Sequence, residues 1–404
     1  PGEISVNIQT GPFGSQLHQS DYSEKGTPVV MPKDLISGHI SEESIARVSD
    51  DHVERLSRHK IEVGDILYSR RGDVGRCAFA SETEAGWLCG TGCLRVTIDS
   101  RKANPKFVFY QLLKADTIGW VEKHAVGSTM LNLNTSILSS VPIDLPSHDK
   151  QNHIVGVLSA YDDLIENNQK QIKLLEEAAQ RLYKEWFVDL RFPGHETTPI
   201  VDGVPDGWTY KPFSEVFDYV RGKSYTSKEL SDTTGILMAN LKNIRAFGGY
   251  NRNAEKRFTG QYKANQMLYA GDIVMGVTDM TQERRLVGHV ALVPDLGEKM
   301  TFSMDLIKII PKLTDNLFLY SAMYYGGLSK QISPLANGVN VLHLKPEAMM
   351  GIEMLIPTKD ILERYHQQFA PMVTRIEALQ KQCDVAAEAR DRLIPKLMNR
   401  EIEV

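Results

Sequence analysis

The sequence predicts an α/β protein of the α+β type, with two similar globular domains joined by two long antiparallel coiled-coil helices. Three observations predict this fold: a repeat 211 residues apart, a heptad-spaced apolar stripe after each copy, and short strand-like runs within each copy. Residues 127–146 and 338–357 share an opening glycine, two leucines and a closing proline, and their apolar positions coincide. A repeat of this length indicates duplicated domains with a pseudo-twofold internal repeat rather than a solenoid of short units.

Each copy is followed by a long helix with an apolar seam. In the first helix the seam residues recur at spacings of four and three: Ile154, Leu158, Tyr161, Ile165, Asn168, Ile172, Leu175, Ala179, Leu182 and Trp186. The second helix matches them 211 residues later with Tyr365, Phe369, Met372, Ile376, Leu379, Cys383, Ala386, Arg390, Leu393 and Leu397. This spacing is typical of a coiled coil, and a helix of about 58 Å needs a partner for its stripe. We expect the two helices to pair antiparallel; packing of each helix on its own domain is the alternative.

Two seam positions are not apolar. Asn168 lies near the middle of the first seam, and its counterpart Leu379 is apolar. A single seam asparagine often fixes the register of a coiled coil at a cost in stability, although Asn168 can also simply face solvent. Arg390 replaces Ala179 in the second seam, and we expect its stem to lie along the seam with its head in water.

The globular blocks alternate strand-like runs with turn residues. In the first block the predicted strands are 27–31, 65–68, 93–98 and 141–145, and a helix is predicted over 107–118. In the second block the predicted strands are 235–238, 272–276, 289–293 and 306–310, and a helix is predicted over 318–325. The chain thus divides into a first domain at 1–149, a central helix at 150–190, a linker at 191–203, a second domain at 204–357 and a distal helix at 358–404.

Composition limits the classes of function. The chain has 404 residues and a formal net charge of −5, so any nucleic-acid surface must be local. We expect the four cysteines, Cys77, Cys89, Cys93 and Cys383, to be reduced thiols, because no fourth ligand stands at a zinc-site spacing. No apolar run reaches the length of a membrane span, and the first residues lack a basic-then-apolar leader. We therefore expect a cytoplasmic protein without membrane contact.

No catalytic motif is present. The sequence contains no GxxxxGK[ST] phosphate loop, no GxSxG elbow, no HExxH pair and no Asn/Asp-Pro-Pro-aromatic tetrapeptide. We predict no catalytic residue, no metal and no cofactor in this chain. The alternatives are an enzyme with an unfamiliar site and a coiled-coil scaffold whose globular domains bind protein.

Two basic stretches, 55–76 and 240–263, lie in the variable middle of the two blocks, with glycines and aromatic residues between the charges. Such loops can follow phosphates and offer Arg, Lys and Asn to base edges; a solvated charged surface is the alternative. A recurring pair of arginines follows the strand motif GDILYS in the first block and GDIVMG in the second. Polar residues after Gly127 and Gly338 can also reach phosphates, or serve as turn and cap residues.

These features predict a set of DNA-binding residues in each block. In the first block they are Lys33, Arg55, Arg58, Lys60, Arg70, Arg71, Arg76, Ser128, Thr129 and Asn132. In the second block they are Lys242, Asn243, Arg245, Arg252, Lys256, Arg257, Arg284, Arg285, Asn340 and His343.

Several motifs resemble the specificity subunits of type I restriction–modification systems. The opening GPFGSQL at 11–17 and the run GDILYSRRGDVGRCA at 64–78 resemble parts of a target recognition domain in that family. LYKEWFVD at 182–189, PDGW at 205–208 and LIPKL at 393–397 resemble the end of its central helix, the start of its second domain and the end of its distal helix. The match covers essentially the whole chain, but the PxGW segment before the first domain is missing.

The resemblance implies a non-catalytic role in DNA recognition. Each domain would be a target recognition domain that reads one half of a bipartite double-stranded DNA target. The helices would set the unread spacer and dock two modification (methyltransferase) subunits, which carry S-adenosylmethionine. Restriction subunits, which are translocases and nucleases that use ATP and Mg²⁺, would join the same complex.

Overall fold

The structure is a computed structural model that describes residues 1–13, 16–42, 45–127 and 131–402. It divides the chain into two compact units, one formed by Pro1–Glu166 with Cys383–Val404 and the other by Asn167–Gln382. The central helix, His148–Tyr183, and the distal helix, Lys359–Met398, each contribute residues to both units. Each unit therefore contains one globular domain and one part of each long helix.

The two domains have the same sheet topology. The main antiparallel sheet has the spatial order Ser5–Thr10, Cys93–Ile98, Ile66–Ser69, Cys77–Phe79 in the first domain and Phe217–Arg221, Leu306–Pro311, Ile273–Gly276, Val290–Leu292 in the second. The second sheet has the order Tyr22–Ser23, Ala46–Val48, Thr27–Val30, Leu88–Cys89 and, correspondingly, Leu230–Ser231, Lys256–Phe258, Ile236–Ala239, Met300–Phe302. In both second sheets the last pair is parallel. The identical order confirms the predicted internal repeat.

Shorter elements complete the described chain. The remaining strand pairs are Leu35–Ile36 with His39–Ile40, Ile200–Val201 with Val204–Pro205, Thr209–Pro212 with Glu353–Ile356, and Thr278–Asp279 with Leu342–His343. The shorter helices are Asp50–Arg55, Pro105–Leu112, Ala115–His124, Thr135–Ser140, Phe213–Val216, Asn316–Tyr324, Ser329–Ile332 and the π-helix Lys184–Val188. Single 3-10 turns occupy Gly2–Ile4, Gln19–Asp21, Pro32–Asp34, Ser57–His59, Ser227–Glu229, Leu241–Asn243, Ala264–Gln266, Ser333–Leu335 and Pro346–Met349.

Two sequence predictions about elements were wrong. The helix predicted over 107–118 is two helices, because the backbone at Lys114 is extended, with φ −62° and ψ 138°. The strand predicted at 141–145 is not a strand. Its counterpart in the second domain, Glu353–Ile356, pairs with Thr209–Pro212, and the described residues of the first domain contain no counterpart of that partner strand. A strand without a partner leaves its backbone groups unpaired, so the segment has no ladder to join.

The recurring Gly-Asp-Ile motif has a structural explanation. Gly64 and Gly271 have φ of 89° and 85°, a conformation that glycine adopts without a steric penalty. The carboxylates of Asp65 and Asp272 each accept a hydrogen bond from the backbone N–H three residues earlier, at 2.8 and 2.9 Å. The motif therefore makes the tight turn that leads into an interior strand of each main sheet, Ile66–Ser69 or Ile273–Gly276.

The two long helices pair antiparallel in the first unit. The guanidinium of Arg390 donates to the carboxylate of Asp162 at 2.8 Å, and the thiol of Cys383 lies 3.8 Å from the carbonyl oxygen of Ile165. As the residue number increases along the central helix, the number of the contacting residue on the distal helix decreases, so the two helices run antiparallel. Both helices also pack on the first domain, since Leu158 and Leu397 belong to its hydrophobic core.

The second unit shows the same antiparallel pairing. Asn168 Nδ2 donates to Gln382 Oε1 at 3.2 Å, and Arg375 Nη2 donates to Gln171 Oε1 at 3.1 Å. All twenty predicted seam residues are buried or partly buried, which confirms the two seams. The amide of Asn168 does not face solvent, because the residue is only 2% exposed.

The expectation for Arg390 was wrong. Its head is not in water, because the residue is 5% exposed and its guanidinium contacts the carboxylates of Asp162 and Asp391. Asp162 is itself buried and also accepts a hydrogen bond from the hydroxyl of Tyr110. A buried cation is tolerated when its charge and its donors are matched in this way.

Replacing Asn168 with leucine is expected to raise the free energy of unfolding by about 1 kcal/mol, because apolar packing replaces a buried polar contact. The reciprocal variant Leu379→Asn is expected to lower it by about 2–4 kcal/mol, because it removes buried apolar atoms and buries an amide. Chemical denaturation measures both values. Equal stability of the two variants would contradict the apolar environment assigned to this part of the seam.

Candidate nucleic-acid interface

In the first domain, the loop after strand Ile66–Ser69 meets the segment after Gly127. The backbone N–H of Gly72 donates to the carbonyl of Leu131 at 3.1 Å, and the carbonyl of Arg70 accepts from the N–H of Leu133 at 2.8 Å. The structure thus brings together two groups of predicted residues that are about sixty positions apart in the sequence.

These two segments bring basic and polar residues close together. Arg71 is exposed and forms a β-bridge with partly buried Asn132. The guanidinium carbon of Arg70 lies 5.8 Å from the ring centroid of Phe13, within the range of a cation–π contact. Arg76 is exposed and donates to Asp73 at 2.6 Å. Ser128 and Thr129, which were predicted to bind DNA, lie outside the described residues.

The second domain repeats this arrangement. Strand Thr278–Asp279, which continues the chain after the GDIVMG motif, pairs with Leu342–His343 in the segment after Gly338. The side chain of Gln282 donates to the carbonyl of Val339 at 2.9 Å. Equivalent loops therefore meet in both domains. In the second they carry Arg284, Arg285, Asn340 and His343, of which all but Arg284 are exposed and Arg284 is partly buried.

Asp279 holds the second-domain loop in place. Its carboxylate is 1% exposed and accepts backbone hydrogen bonds from Thr281, Leu286 and Val287 at 2.9, 2.7 and 3.3 Å. Burial by itself raises the pKa of Asp279, but these N–H donors outweigh it and the pKa lies below its ordinary value. The carboxylate therefore stays charged and fixes the loop near neutral pH.

A third loop joins this surface in the second domain. The N–H of Phe247 donates to the carbonyl of Arg285 at 2.7 Å, and its ring packs edge-on against the imidazole of His289. Arg245, two residues earlier, is exposed. The basic stretch at 240–263 thus contacts the loop of Arg284 and Arg285 through the turn at Phe247.

The remaining candidates of the first domain lie elsewhere. Gln9 Nε2 donates to the carbonyl of Arg58 at 2.7 Å, and the guanidinium of Arg95 donates to the carbonyl of Lys60. Arg95 lies opposite Leu67 in the main sheet, about 10 Å along the strand from Arg70. Arg55 is exposed and lies 3.8 Å from the carboxylate of Asp21.

Lys33 lies on the 3-10 turn Pro32–Asp34 that follows strand Thr27–Val30. Its ammonium group is 3.9 Å from the buried carboxylate of Asp34, and its side chain is 57% exposed. The predicted residues of the first domain therefore occupy more than one surface region.

Asn243 was predicted to face DNA, but it lies inside the second domain. It is fully buried, and its Nδ2 donates to the carbonyl of Asn251 at 3.0 Å and to Glu255 Oε1 at 2.9 Å. The hydroxyl of Tyr250 donates to the same carboxylate oxygen at 2.8 Å. This network shapes the loop from within and leaves Lys242 exposed at its surface.

Arg252 also turns inward. Its side chain is 8% exposed, and Nη1 lies 2.9 Å from Glu377 Oε1 on the distal helix. Two further candidates form contacts within the domain. Lys256 donates to the hydroxyl of Tyr225 at 2.7 Å, and Arg257 forms a two-pronged ion pair with Glu298 at 2.8 and 3.0 Å.

The predicted site residues leave out three exposed apolar residues on the loops of the second domain, although Phe247 is one of the aromatic residues noted within the basic stretch. Phe247 is 61% exposed, Met280 is 76% exposed and Val339 is 90% exposed. Apolar residues are normally assigned to the core, so their type pointed away from the surface. Their positions beside the glycine turns and the arginine pair were the only sequence signal.

The cysteines are free thiols, and Cys77, Cys89 and Cys93 are buried. Burial raises the pKa of Cys77 and of Cys89 to about 12, so these thiols are protonated near neutral pH. Within the described residues no group of three or more His, Cys, Asp or Glu side chains is placed to hold a metal. In the same part of the chain no helix is long and apolar enough to span a membrane.

The fold and the repeated loops define a duplicated α+β protein with paired long helices and a candidate nucleic-acid interface in each copy. The family model for the type I restriction modification DNA specificity domain matches residues 9–177. Similarity to curated specificity subunits extends over nearly the whole chain. The chain is thus similar to type I restriction–modification specificity subunits, by this model over 9–177 and by the relatives over most of its length.

Three similar proteins illustrate the relationship. The MjaIX specificity subunit of Methanocaldococcus jannaschii is 27% identical over 403 residues, covering 93% of this chain and 87% of the relative. The HindI specificity subunit of Haemophilus influenzae is 21% identical and covers 86% of this chain and 88% of the relative. The crystal structure of the type I S subunit from M. genitalium has a TM-score of 0.54 at 14% identity, covers 98% of this chain and 94% of that chain, and shows the same fold.

Replacing Arg252 with methionine is expected to lower the free energy of unfolding of the chain by about 2 kcal/mol, because Glu377 loses a charged hydrogen-bond donor. The charge exchange Arg252→Glu with Glu377→Arg is expected to recover part of the loss. A double-mutant cycle in chemical denaturation measures the coupling. Additive losses in the cycle would contradict a direct contact between the loop and the distal helix.

Proposed function

We propose that this chain is the DNA specificity subunit of a type I restriction–modification complex, in which each domain reads one half of a bipartite duplex target. The long helices set the unread spacer and dock two methyltransferase subunits. The proposal is supported by the match of residues 9–177 to the specificity-domain model, and by relatives, matched over most of their length, that are named specificity subunits.

One observation carries the proposal: the same two loops meet at the same end of the main sheet in both domains. Both loops hold two adjacent arginines, Arg70 with Arg71 and Arg284 with Arg285, but at different places. The N–H groups of Leu133 and Leu344 donate to the carbonyls of Arg70 and Val277, so Val277 is the backbone equivalent of Arg70 and the second pair lies further along its loop. Two sites with one geometry and different side chains suit two half-sites of different sequence.

In this proposal the chain itself is not catalytic. The methyltransferase subunits bind S-adenosylmethionine and modify adenine, and the restriction subunits use ATP and Mg²⁺. The complex works on DNA in the cytoplasm. This chain sets the distance between the two DNA-binding domains, because recognition of two half-sites requires a defined separation between them.

A mapping experiment tests the function. The host expresses the methyltransferase subunits with or without this chain, and methylated adenines are mapped across its DNA. A bipartite methylated sequence is expected only when the chain is present. Methyl transfer by the purified chain alone, or an unchanged methylation pattern without the chain, would reject the proposal.

Binding of the assembled complex to its mapped duplex is expected to fall by about 10³-fold between 50 and 200 mM salt, if about six phosphates are contacted. Arg71→Ala and Arg285→Ala should each reduce the slope of log affinity against log salt by about one. Lys312→Ala is a matched control, because Lys312 follows the opposite end of strand Leu306–Pro311 from the arginine loop. Salt-independent affinity would contradict a DNA-binding surface.

Inserting one heptad into the central helix after Glu166 and one into the distal helix after Gln382 is expected to lengthen the preferred spacer. Seven residues add about 10 Å of helix, equivalent to about three base pairs. Methylation mapping measures the new spacer. Changed half-sites with an unchanged spacer would show that the helices do not set the separation.

A further inference from the structure

The second domain carries a two-stranded ribbon whose tip is made by two loops. Thr278 lies opposite His343 and Asp279 lies opposite Leu342 in an antiparallel pair. In such a pair, the residues that follow one strand and those that precede the other leave from the same end. Residues 280–283 and 339–341 therefore form one tip, which the hydrogen bond from Gln282 to the carbonyl of Val339 holds together.

Each of the two loops of the tip carries one strongly exposed apolar residue. Met280 is 76% exposed and Val339 is 90% exposed. Arg285, Asn340 and His343 are exposed beside them. Such a set of cationic and hydrogen-bonding groups favours a polyanion that also presents apolar atoms.

The tip is also fixed in shape before it meets a ligand. The buried carboxylate of Asp279 binds three backbone N–H groups of the following loop, and the N–H of Phe247 ties Arg285 to the neighbouring turn. A rigid tip loses little conformational entropy on binding, so its contacts can discriminate between ligands rather than serve to order the loop.

Duplex DNA presents one apolar group to a ribbon of this kind. The major groove, about 12 Å wide, admits a two-stranded β-ribbon, and the C5-methyl group of thymine projects into it. We propose that the 280–283 and 339–341 tip enters the major groove of the second half-site, where Met280 and Val339 contact thymine methyl groups. The inference rests on the proposed function and adds the chemistry by which the second domain reads its half-site.

The test replaces thymines with deoxyuridine, one position at a time, in a duplex carrying the mapped methylation site. The full chain is assembled with its methyltransferase subunits for binding measurements. Loss of a contacted methyl group is expected to weaken the wild-type complex about fourfold at one or two positions in the second half-site. The double variant Met280→Ser, Val339→Ser should bind the unmodified duplex about tenfold more weakly and show no further loss with deoxyuridine.

Two controls separate this contact from general effects. The double variant should keep the salt slope of the wild type, because no phosphate contact is removed. Leu313→Ser changes another exposed apolar residue, 49% exposed, which lies beyond the far end of strand Leu306–Pro311, about 20 Å along the sheet. This control variant should bind like the wild type and keep its sensitivity to deoxyuridine.

Several results would overturn the inference. They are a second half-site without an A·T pair, equal affinity for all deoxyuridine duplexes, or equal sensitivity of the wild type and the double variant. A wild-type complex that neither binds nor methylates any duplex selectively would instead reject the proposed function, and with it this reading of the ribbon.

Discussion

Burial of the two helix seams is the constraint on which the rest of the structure depends. Helices of 36 and 40 residues cannot leave a continuous apolar stripe in water, and in each unit the stripe of one helix covers that of the other. The polar exceptions are satisfied, since Asn168 bonds to Gln382 and Arg390 pairs with Asp162. Because Asp162 also binds the hydroxyl of Tyr110, the same ion pair fastens the helices to the first domain.

The two domains share the scaffold of sheets and turns and differ in the loops between these elements. The Gly-Asp-Ile turn and the order of both sheets recur, and Arg95 with Asp65 has an equivalent in Lys308 with Asp272, each at 3.5 Å. The loops between these elements share little sequence. Surface loops can change without disturbing a core, so one scaffold can present two different contact surfaces.

The sequence predicted the parts of the fold that depend on periodicity. Both seams and most strands follow from apolar spacing, which responds directly to burial. The segment 141–145 was mispredicted because strand formation depends on a partner elsewhere in the chain. The candidate site residues were more difficult to predict than the strands. Charge alone does not say whether a side chain points outward, and Arg252 and Asn243 point inward because a glutamate and a polar network receive them.

The inward orientation of some polar side chains limits which groups can contact DNA. The net charge is −5, so phosphate contacts must come from local groups of exposed cations such as Arg71, Arg245 and Arg285, and those contacts carry no sequence information. Discrimination must then come from groups that reach base edges. In the second domain we propose that Met280 and Val339 supply such groups: both are exposed, and Asp279 fixes the backbone of the loop that carries Met280.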